Sequence, residues 1–427
     1  MSALLRRNAM PSLLELLDTF RVVTVSGPRQ SGKTTLVNAV VGNEREARVL
    51  SLDDEALLQA AIEDPAGFVA TPSRPLVIDE VQRAGEPLVR AIKRQVDRDP
   101  RPGQFLLTGS ADFLTVPQIS ESLAGRTVFL ELWPFSQGEI EGLREGFIDR
   151  AFDDPEGLRS GPATVSSRPD VLERVCRGGY PEVQALTGRR RDAWFGAYVR
   201  TVIERDITEL GNIRRGGDVP RLLRLLAARS GSEVVMQDVI RDADLARQTV
   251  FDYVALLRAV GLVHELPAWS RSLTSRAKRH PKLFIADPGL AAYLLGATPA
   301  ALAEPGAPAL GGLVETFAIA EVLRQRAWAE RDVTLHHFRN RGGAEVDLVL
   351  EGRDGRAVGI EIKASSTVRI QHFRGLQIVR DELGKDFIHG FVLYLGDQAL
   401  SFGDRLTALP IASLWRSAVA MGASGVP

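Results

Sequence analysis

The segment Gly27-Pro28-Arg29-Gln30-Ser31-Gly32-Lys33-Thr34 constrains the fold more than any other stretch of this chain, because it functions only as the turn between a strand and a helix. An apolar run, Val22-Val23-Thr24-Val25, precedes it, and a helix-capable stretch from Thr34 to Val41 follows. The glycines allow the backbone to wrap a phosphate chain and aim successive N–H groups at it. Lys33 reaches the β- and γ-phosphates, Thr34 offers its hydroxyl to Mg²⁺, and the helix N-terminus adds a favourable dipole. The loop is a complete Walker A motif. It predicts a parallel α/β sheet, ATP and Mg²⁺ as cofactors, and nucleotide contacts from Gly27 through Thr35.

The chain is 427 residues long, more than one hydrophobic core usually serves, so two or three domains are expected. A formal net charge of -1 means that any surface for a polyanion must be local. Cys176 is the only cysteine, which excludes internal disulfides and cysteine-rich zinc sites. The amino-terminal stretch lacks the continuous apolar core of a signal peptide, and no run is long enough to span a bilayer. A reducing, cytoplasmic setting without membrane partners is expected.

A second apolar run ends in acids, Leu76-Val77-Ile78-Asp79-Glu80, the form of a Walker B strand. Ligands of parallel α/β sheets gather at the carboxyl ends of the strands. Asp79 is therefore expected in the magnesium shell, and Glu80 as the residue that polarises the attacking water. A third run, Phe105 to Ser110, ends in small hydroxyl residues; Thr108 is the first choice for a polar group near the γ-phosphate. Ser110 is the second, or else a helix N-cap. Arg126 is a candidate for gripping the transferring phosphoryl group, in its own chain or a neighbour's within a homo-oligomer, or else a surface arginine beside a strand. Asp53 and Asp54 read as a turn or helix cap.

From about residue 136 to 215 the pattern becomes helical and irregular, consistent with a lid or connector; the turn Arg177-Gly178-Gly179-Tyr180-Pro181 interrupts it. Arg189, Arg190 and Arg191 could meet a polyanion or simply start a solvated helix. Residues 216–290 read as three short helices and a hairpin, a winged helix-turn-helix. Arg247, Gln248 and Thr249 would open its third helix, where base or phosphate contacts originate. Arg271, Arg276, Lys278, Arg279 and Lys282 would give the wing a basic run suited to phosphate. A structural or protein-docking role for the same module is the alternative.

An Ala/Pro/Gly-rich strip separates this module from residues 308–427. There a helix carrying Glu315 is followed by strands carrying Asp347, then Glu361 and Lys363. A two-residue turn at Asp354-Gly355 would send Asp347 and Glu361 to opposite faces. A three-residue loop, Arg353-Asp354-Gly355, puts glycine at the left-handed position and sets Asp347 opposite Glu361, with Lys363 on their side. Opposed Cβ atoms lie about 5 Å apart, which suits two carboxylates on one Mg²⁺. Lys363 could then position a metal-activated water and Glu315 complete the shell. The alternative is a hairpin with alternating charges on a solvent face.

Taken in order, GPRQSGKTTL, LSLDD, LVIDEVQ, LLTGS, SLAGR, GGYPE, RTVIERDI, PKLFIADPGL, LVETFAIAEVL, AEVDLVL and GIEIKAS resemble a bacterial and archaeal family of AAA-type ATPases. The carboxyl-terminal domain of that family, of unknown function, resembles a PD-(D/E)XK nuclease. The expected domains are a P-loop NTPase domain over 1–135, a helical lid or connector over 136–215, a winged helix over 216–290 and a nuclease-like α/β domain over 308–427. The resemblance implies ATP and Mg²⁺ positions at Gly32, Lys33, Thr34 and Asp79, and a nuclease-like core of Asp347, Glu361 and Lys363, with Glu315 a looser match. The expected function is an ATPase whose nucleotide state controls a DNA-binding, nuclease-like module, with RNA as another possible polymer. The alternative is a nucleotide-switched regulator or assembly factor whose nuclease-like domain is catalytically silent. A protein-restructuring ATPase ranks last, for want of a substrate-threading loop.

Overall fold

Strand β1 (Val22–Gly27) is buried along its whole length, as a central strand of a parallel sheet must be. The computed structural model describes every residue except 1–4, 44–46, 72, 111–122, 161–165, 208–215, 234–235, 273–275, 277–279 and 417–427. The chain divides into two compact units: residues 7–134 with 259–261, and residues 1–6, 135–258 and 262–427.

In the first unit, β1, β2 (Arg48–Ser51), β3 (Leu76–Asp79), β4 (Phe105–Ser110) and β5 (Thr127–Glu131) form a parallel sheet in the order β2-β3-β4-β1-β5. Strand β4 thus separates the phosphate-loop strand from the acid-ending strand. The helix Gly85–Arg98 turns Leu88, Val89, Ile92 and Val96 inward, at helical spacing, onto Leu76, Ile78 and Leu107 of the sheet. Fully burying each such side chain stabilises the fold by roughly 1.5–3 kcal/mol. Asp54 caps the helix Glu55–Glu63 by accepting from Ala56 N at 2.8 Å.

The second unit begins with helices. The helix Gly188–Thr201 runs into a wider π-helical turn, Val202–Ile207. Three helices, Val219–Ala228, Met236–Ala243 and Arg247–Ala259, lead into an antiparallel pair, β6 (Val263–Leu266) and β7 (Lys282–Ile285). The helix Leu310–Gln325 follows, then a mixed sheet of β8 (Val333–Arg339), β9 (Glu345–Gly352), β10 (Ala357–Lys363), β11 (Phe387–Tyr394), β12 (Leu400–Ser401) and β13 (Leu406–Pro410), in the order β12-β13-β11-β10-β9-β8. The pairs β10–β11 and β11–β13 are parallel and the other three antiparallel. The helix Arg374–Leu383 covers one face, packing Leu376, Val379 and Leu383 against Val346, Val349 and Val392.

Leu310–Gln325 is buried without a break from Thr316 to Gln325, so its polar residues need partners inside the protein. Glu321 accepts from Gln137 N at 2.8 Å, and Gln325 accepts from Phe147 N at 3.1 Å. Arg324 pairs with Glu321 and, at 2.9 Å, with Asp287. Asp287 also caps the helix Pro288–Leu295 and accepts from Gly179 N at 2.8 Å. The neighbouring Gly178 has φ +71°, and a Cβ there would lie 2.1 Å from Asp287 Oδ1, so the tight turn read from sequence is a packing requirement of this ionic knot. No helix among the described residues is long and apolar enough to cross a membrane.

Candidate functional site

The amino-terminal site forms where β1, β3 and β4 end. Gly27 has φ +153°, and a Cβ there would come within 2.1 Å of Leu132 O, so only glycine lets the loop leave β1. Gln30 and Gly32 continue with positive φ, and Lys33 then starts the helix Lys33–Asn43. Lys33 is 7 % exposed, and its ammonium donates to Gly27 O at 3.0 Å and Pro28 O at 2.9 Å. Of the remaining loop residues, Pro28 and Ser31 are buried, Arg29 is half-buried, and Thr34 and Thr35 are exposed at the helix start.

Asp79 is the centre of this site. Thr34 Oγ1 donates to its Oδ2 at 3.1 Å, and Thr108 Oγ1 donates to its Oδ1 through a short contact. Thr108 Oγ1 in turn accepts from Glu80 N at 3.3 Å, so strand β4 positions the acid pair of β3. Glu80 takes the left-handed conformation, φ 55°, and its carboxylate accepts from Gln82 Nε2. A hydroxyl beside a carboxylate on a strand end, with a lysine at the helix N-terminus, is a donor set suited to Mg²⁺ and phosphate.

Arg126 lies elsewhere. Its guanidinium forms a two-armed pair with Asp97, at 2.6 and 3.1 Å, and also donates to Ala124 O at 3.1 Å. Hydrogen bonding to Asp97 raises the Arg126 pKa and lowers that of Asp97. In this structure the Arg126 guanidinium is thus paired on the surface of the first unit, with Asp97. The side chain of Ser110 lies outside the described residues. Sequence reasoning did not single out Arg7, which is buried and donates to Ser31 O within the phosphate loop and to Trp133 O at 2.8 Å. An arginine among several polar residues near the amino terminus gives no local sign of that partner.

At the other candidate site, β9 and β10 pair with Ile360 opposite Leu348 and Ala357 opposite Glu351. Gly352 N donates to Arg356 O at 2.9 Å, closing the loop Arg353-Asp354-Gly355, and Gly355 has φ +78°. One step further in this register sets Asp347 opposite Glu361. Glu315, Asp347 and Glu361, the acids of the expected metal shell, each have a lysine partner in this structure. Lys282 Nζ, on β7, sits 2.8 Å from Glu315 Oε1 and 3.1 Å from Asp347 Oδ1. Lys363 Nζ sits 2.5 Å from Glu361 Oε1, and Asp347 Oδ2 accepts from Ile362 N at 2.9 Å. Among the described residues no group of three or more His, Cys, Asp or Glu side chains is arranged to hold a metal ion.

Burial pushes the Glu315 carboxyl up to about 8, with the Asp347 charge adding to it and Lys282 opposing. Glu361 is raised well above the usual range by burial and by Asp347, against Lys363. Burial disfavours the Lys282 ammonium, but Asp347 and Glu315 outweigh it and hold its pKa above the ordinary value.

Several residues of the expected basic wing have partners within the protein. Lys282 is 3 % exposed and committed to two carboxylates. Arg276 makes two 2.6 Å bonds to Glu351 and lies over the Trp269 ring, and Arg271 donates to Glu382 O at 3.0 Å. Lys278 and Arg279 lie outside the described residues. At the start of its helix, Arg247 is exposed over Phe251, and Gln248 is exposed and donates to Asp252 at 2.8 Å. Arg191 is buried against Glu173 at 2.8 Å, while Arg189 and Arg190 are exposed.

Residues 19–141 match a family described as an AAA domain, residues 168–301 a domain of unknown function (DUF8612), and residues 310–414 a second such domain (DUF4143). The uncharacterized proteins Rv2008c of Mycobacterium tuberculosis and Mb2031c of Mycobacterium bovis are each 31% identical to it over 411 residues, covering 95% of this chain and 83% of each relative. Among solved structures, the Walker-type ATPase PABY2304 of Pyrococcus abyssi is 17% identical, with a TM-score of 0.41, over 68% of this chain and 96% of that one. The Thermotoga maritima RuvB Holliday junction branch migration motor is 17% identical, with a TM-score of 0.29, over 64% and 94%. The chain belongs to the family of the two mycobacterial proteins, and its amino-terminal unit is the nucleotide-binding domain of an AAA-type ATPase.

Proposed function

We propose that the chain is a Mg²⁺-dependent ATPase whose nucleotide state controls a carboxyl-terminal domain that recognises a partner and does not cut nucleic acid. One observation carries the ATPase half: Thr34 and Thr108 converge on Asp79, with Glu80 one residue beyond at the strand end. The loop N–H groups and Lys33 would bind the phosphates, and Thr34 with Asp79 would hold the cation. A cation held by Thr34 and Asp79 would supply neutralisation of phosphate charge. Glu80, once released from Gln82, would orient water toward the γ-phosphorus, with Thr108 fixing the acid pair. Glu80→Gln should keep ATP affinity within a few-fold and slow hydrolysis by about 10²–10⁴. Unchanged turnover would remove Glu80 from this role.

The silent reading of the carboxyl-terminal domain rests on the ammonium groups already seated against Glu315, Asp347 and Glu361. A second reading, a metal-dependent nuclease, is favoured by the placement of Asp347 opposite Glu361 with Lys363 beside it. Exposed Arg247 and Gln248 would be its first contacts to DNA or RNA. Labelled DNA incubated with the full chain, ATP and Mg²⁺ or Mn²⁺ separates the two. Cleavage lost in both Asp347→Ala and Lys363→Ala selects the nuclease; no cleavage, or equal nicking by all three, selects the silent domain.

A further inference from the structure

The carboxyl-terminal cluster holds three carboxylates, Glu315, Asp347 and Glu361, on a helix and two strands of one domain. Its central cation comes from outside that sheet. Lys282 opens β7, where its backbone pairs with Leu266 of β6 and forms an isolated antiparallel β-bridge with Glu233, and its side chain is 4% exposed. From there the ammonium reaches Glu315 Oε1 at 2.8 Å and Asp347 Oδ1 at 3.1 Å. A Mg²⁺ ion would need those same oxygens at about 2.0–2.1 Å. The two cations compete for one space. An ammonium set between two buried carboxylates also relieves a pairing that would otherwise be strongly disfavoured.

We propose that Lys282 is the resident cation of this cluster, occupying the place a divalent metal would take. By doing so it fastens the β6–β7 hairpin to β9 and to the Leu310–Gln325 helix. The inference rests on the silent reading of the carboxyl-terminal domain and gives it a cause: the carboxylates are present, but their cation is built into the chain. It also explains why a lysine heads a strand whose four residues are all buried.

Mn²⁺ binding to the full chain, measured without nucleotide by electron paramagnetic resonance, tests the inference. Lys282→Met removes the charge and keeps the length of the side chain. It should gain about one Mn²⁺ per chain over the wild type, and the double variant Lys282→Met/Asp347→Asn should lose it again. Mn²⁺ should raise the unfolding temperature of Lys282→Met more than that of the wild type, while Lys282→Arg should behave as the wild type. A folded Lys282→Met with no added Mn²⁺ site overturns the proposal. Should Lys282→Met not fold, the wild type and Asp347→Asn decide: equal Mn²⁺ binding upholds a lysine-filled cluster, and a wild-type Mn²⁺ that Asp347→Asn abolishes contradicts it. Metal-dependent DNA cleavage by the wild type would instead bring down the silent reading, an outcome separate from failure of Lys282→Met to gain metal.

Discussion

Asp79 and Asp347 are both buried aspartates on strands, and their neighbours differ in one respect. Asp79 is met by two hydroxyls, Thr34 and Thr108, which donate hydrogen bonds and carry no charge. Asp347 is met by the ammonium of Lys282 and the backbone N–H of Ile362. Hydroxyls fix the geometry of a carboxylate and leave its charge in want of a cation, which Mg²⁺ brought with ATP would provide. An ammonium fixes the geometry and meets the charge together. Two sites with similar acids thus differ in whether the cation comes from solution or from the chain.

The largest effect that could break this contrast is at Glu80, where Glu80→Gln should cost turnover about 10²–10⁴-fold with binding preserved. Next in size, removing one partner of the buried knot should be costly: Lys282→Met, measured by chemical unfolding in chelator, should lose about 3–5 kcal/mol of stability. The corresponding change at the first site, Thr108→Val, removes a neutral donor. It should raise the Mg²⁺ concentration needed for half-maximal hydrolysis by only about 3–10-fold. A Thr108→Val effect on stability as large as that of Lys282→Met would mean that Asp79 is a structural acid like Asp347.

A smaller effect, of defined sign, concerns the buried acid Glu145. Its carboxyl accepts from Gly138 N at 2.8 Å and is pushed up from 4.5 to about 8 by burial, with Glu321 adding to it. The folded state therefore holds this proton more tightly than the unfolded chain. The resulting stability is complete below about 4.5 and is lost as pH rises through about 8. Glu145→Gln should flatten that decline in unfolding temperature between about pH 5 and 9. An identical slope in the variant would assign the pH dependence to another group.

Much of the first site is local in sequence, and that is why it could be read there. Gly27 to Thr34 are contiguous, and the runs ending at Asp79 and Thr108 declare buried parallel strands by their unbroken apolar character. The β9–β10 register was equally local, since Gly355 alone decides the loop length. What escaped were partners distant along the chain. Lys282 lies 65 residues from Asp347, and Arg276 lies 75 from Glu351. Read along the sequence, the two belong to a basic wing; folded, each is half of an ion pair. A run of like charge does not reveal which members have acids waiting elsewhere. Arg126 likewise meets a partner that the local sequence does not name, Asp97 on the helix Gly85–Arg98.

The most direct test of the contrast between the two aspartates is the Mg²⁺ dependence of ATP binding and single-turnover hydrolysis in the wild type and Glu80→Gln. The expected result is Mg²⁺-dependent hydrolysis by the wild type, and a variant that binds ATP with similar affinity yet scarcely hydrolyses it. Hydrolysis at equal rates in both proteins, or none by the wild type at any Mg²⁺ concentration, would contradict it.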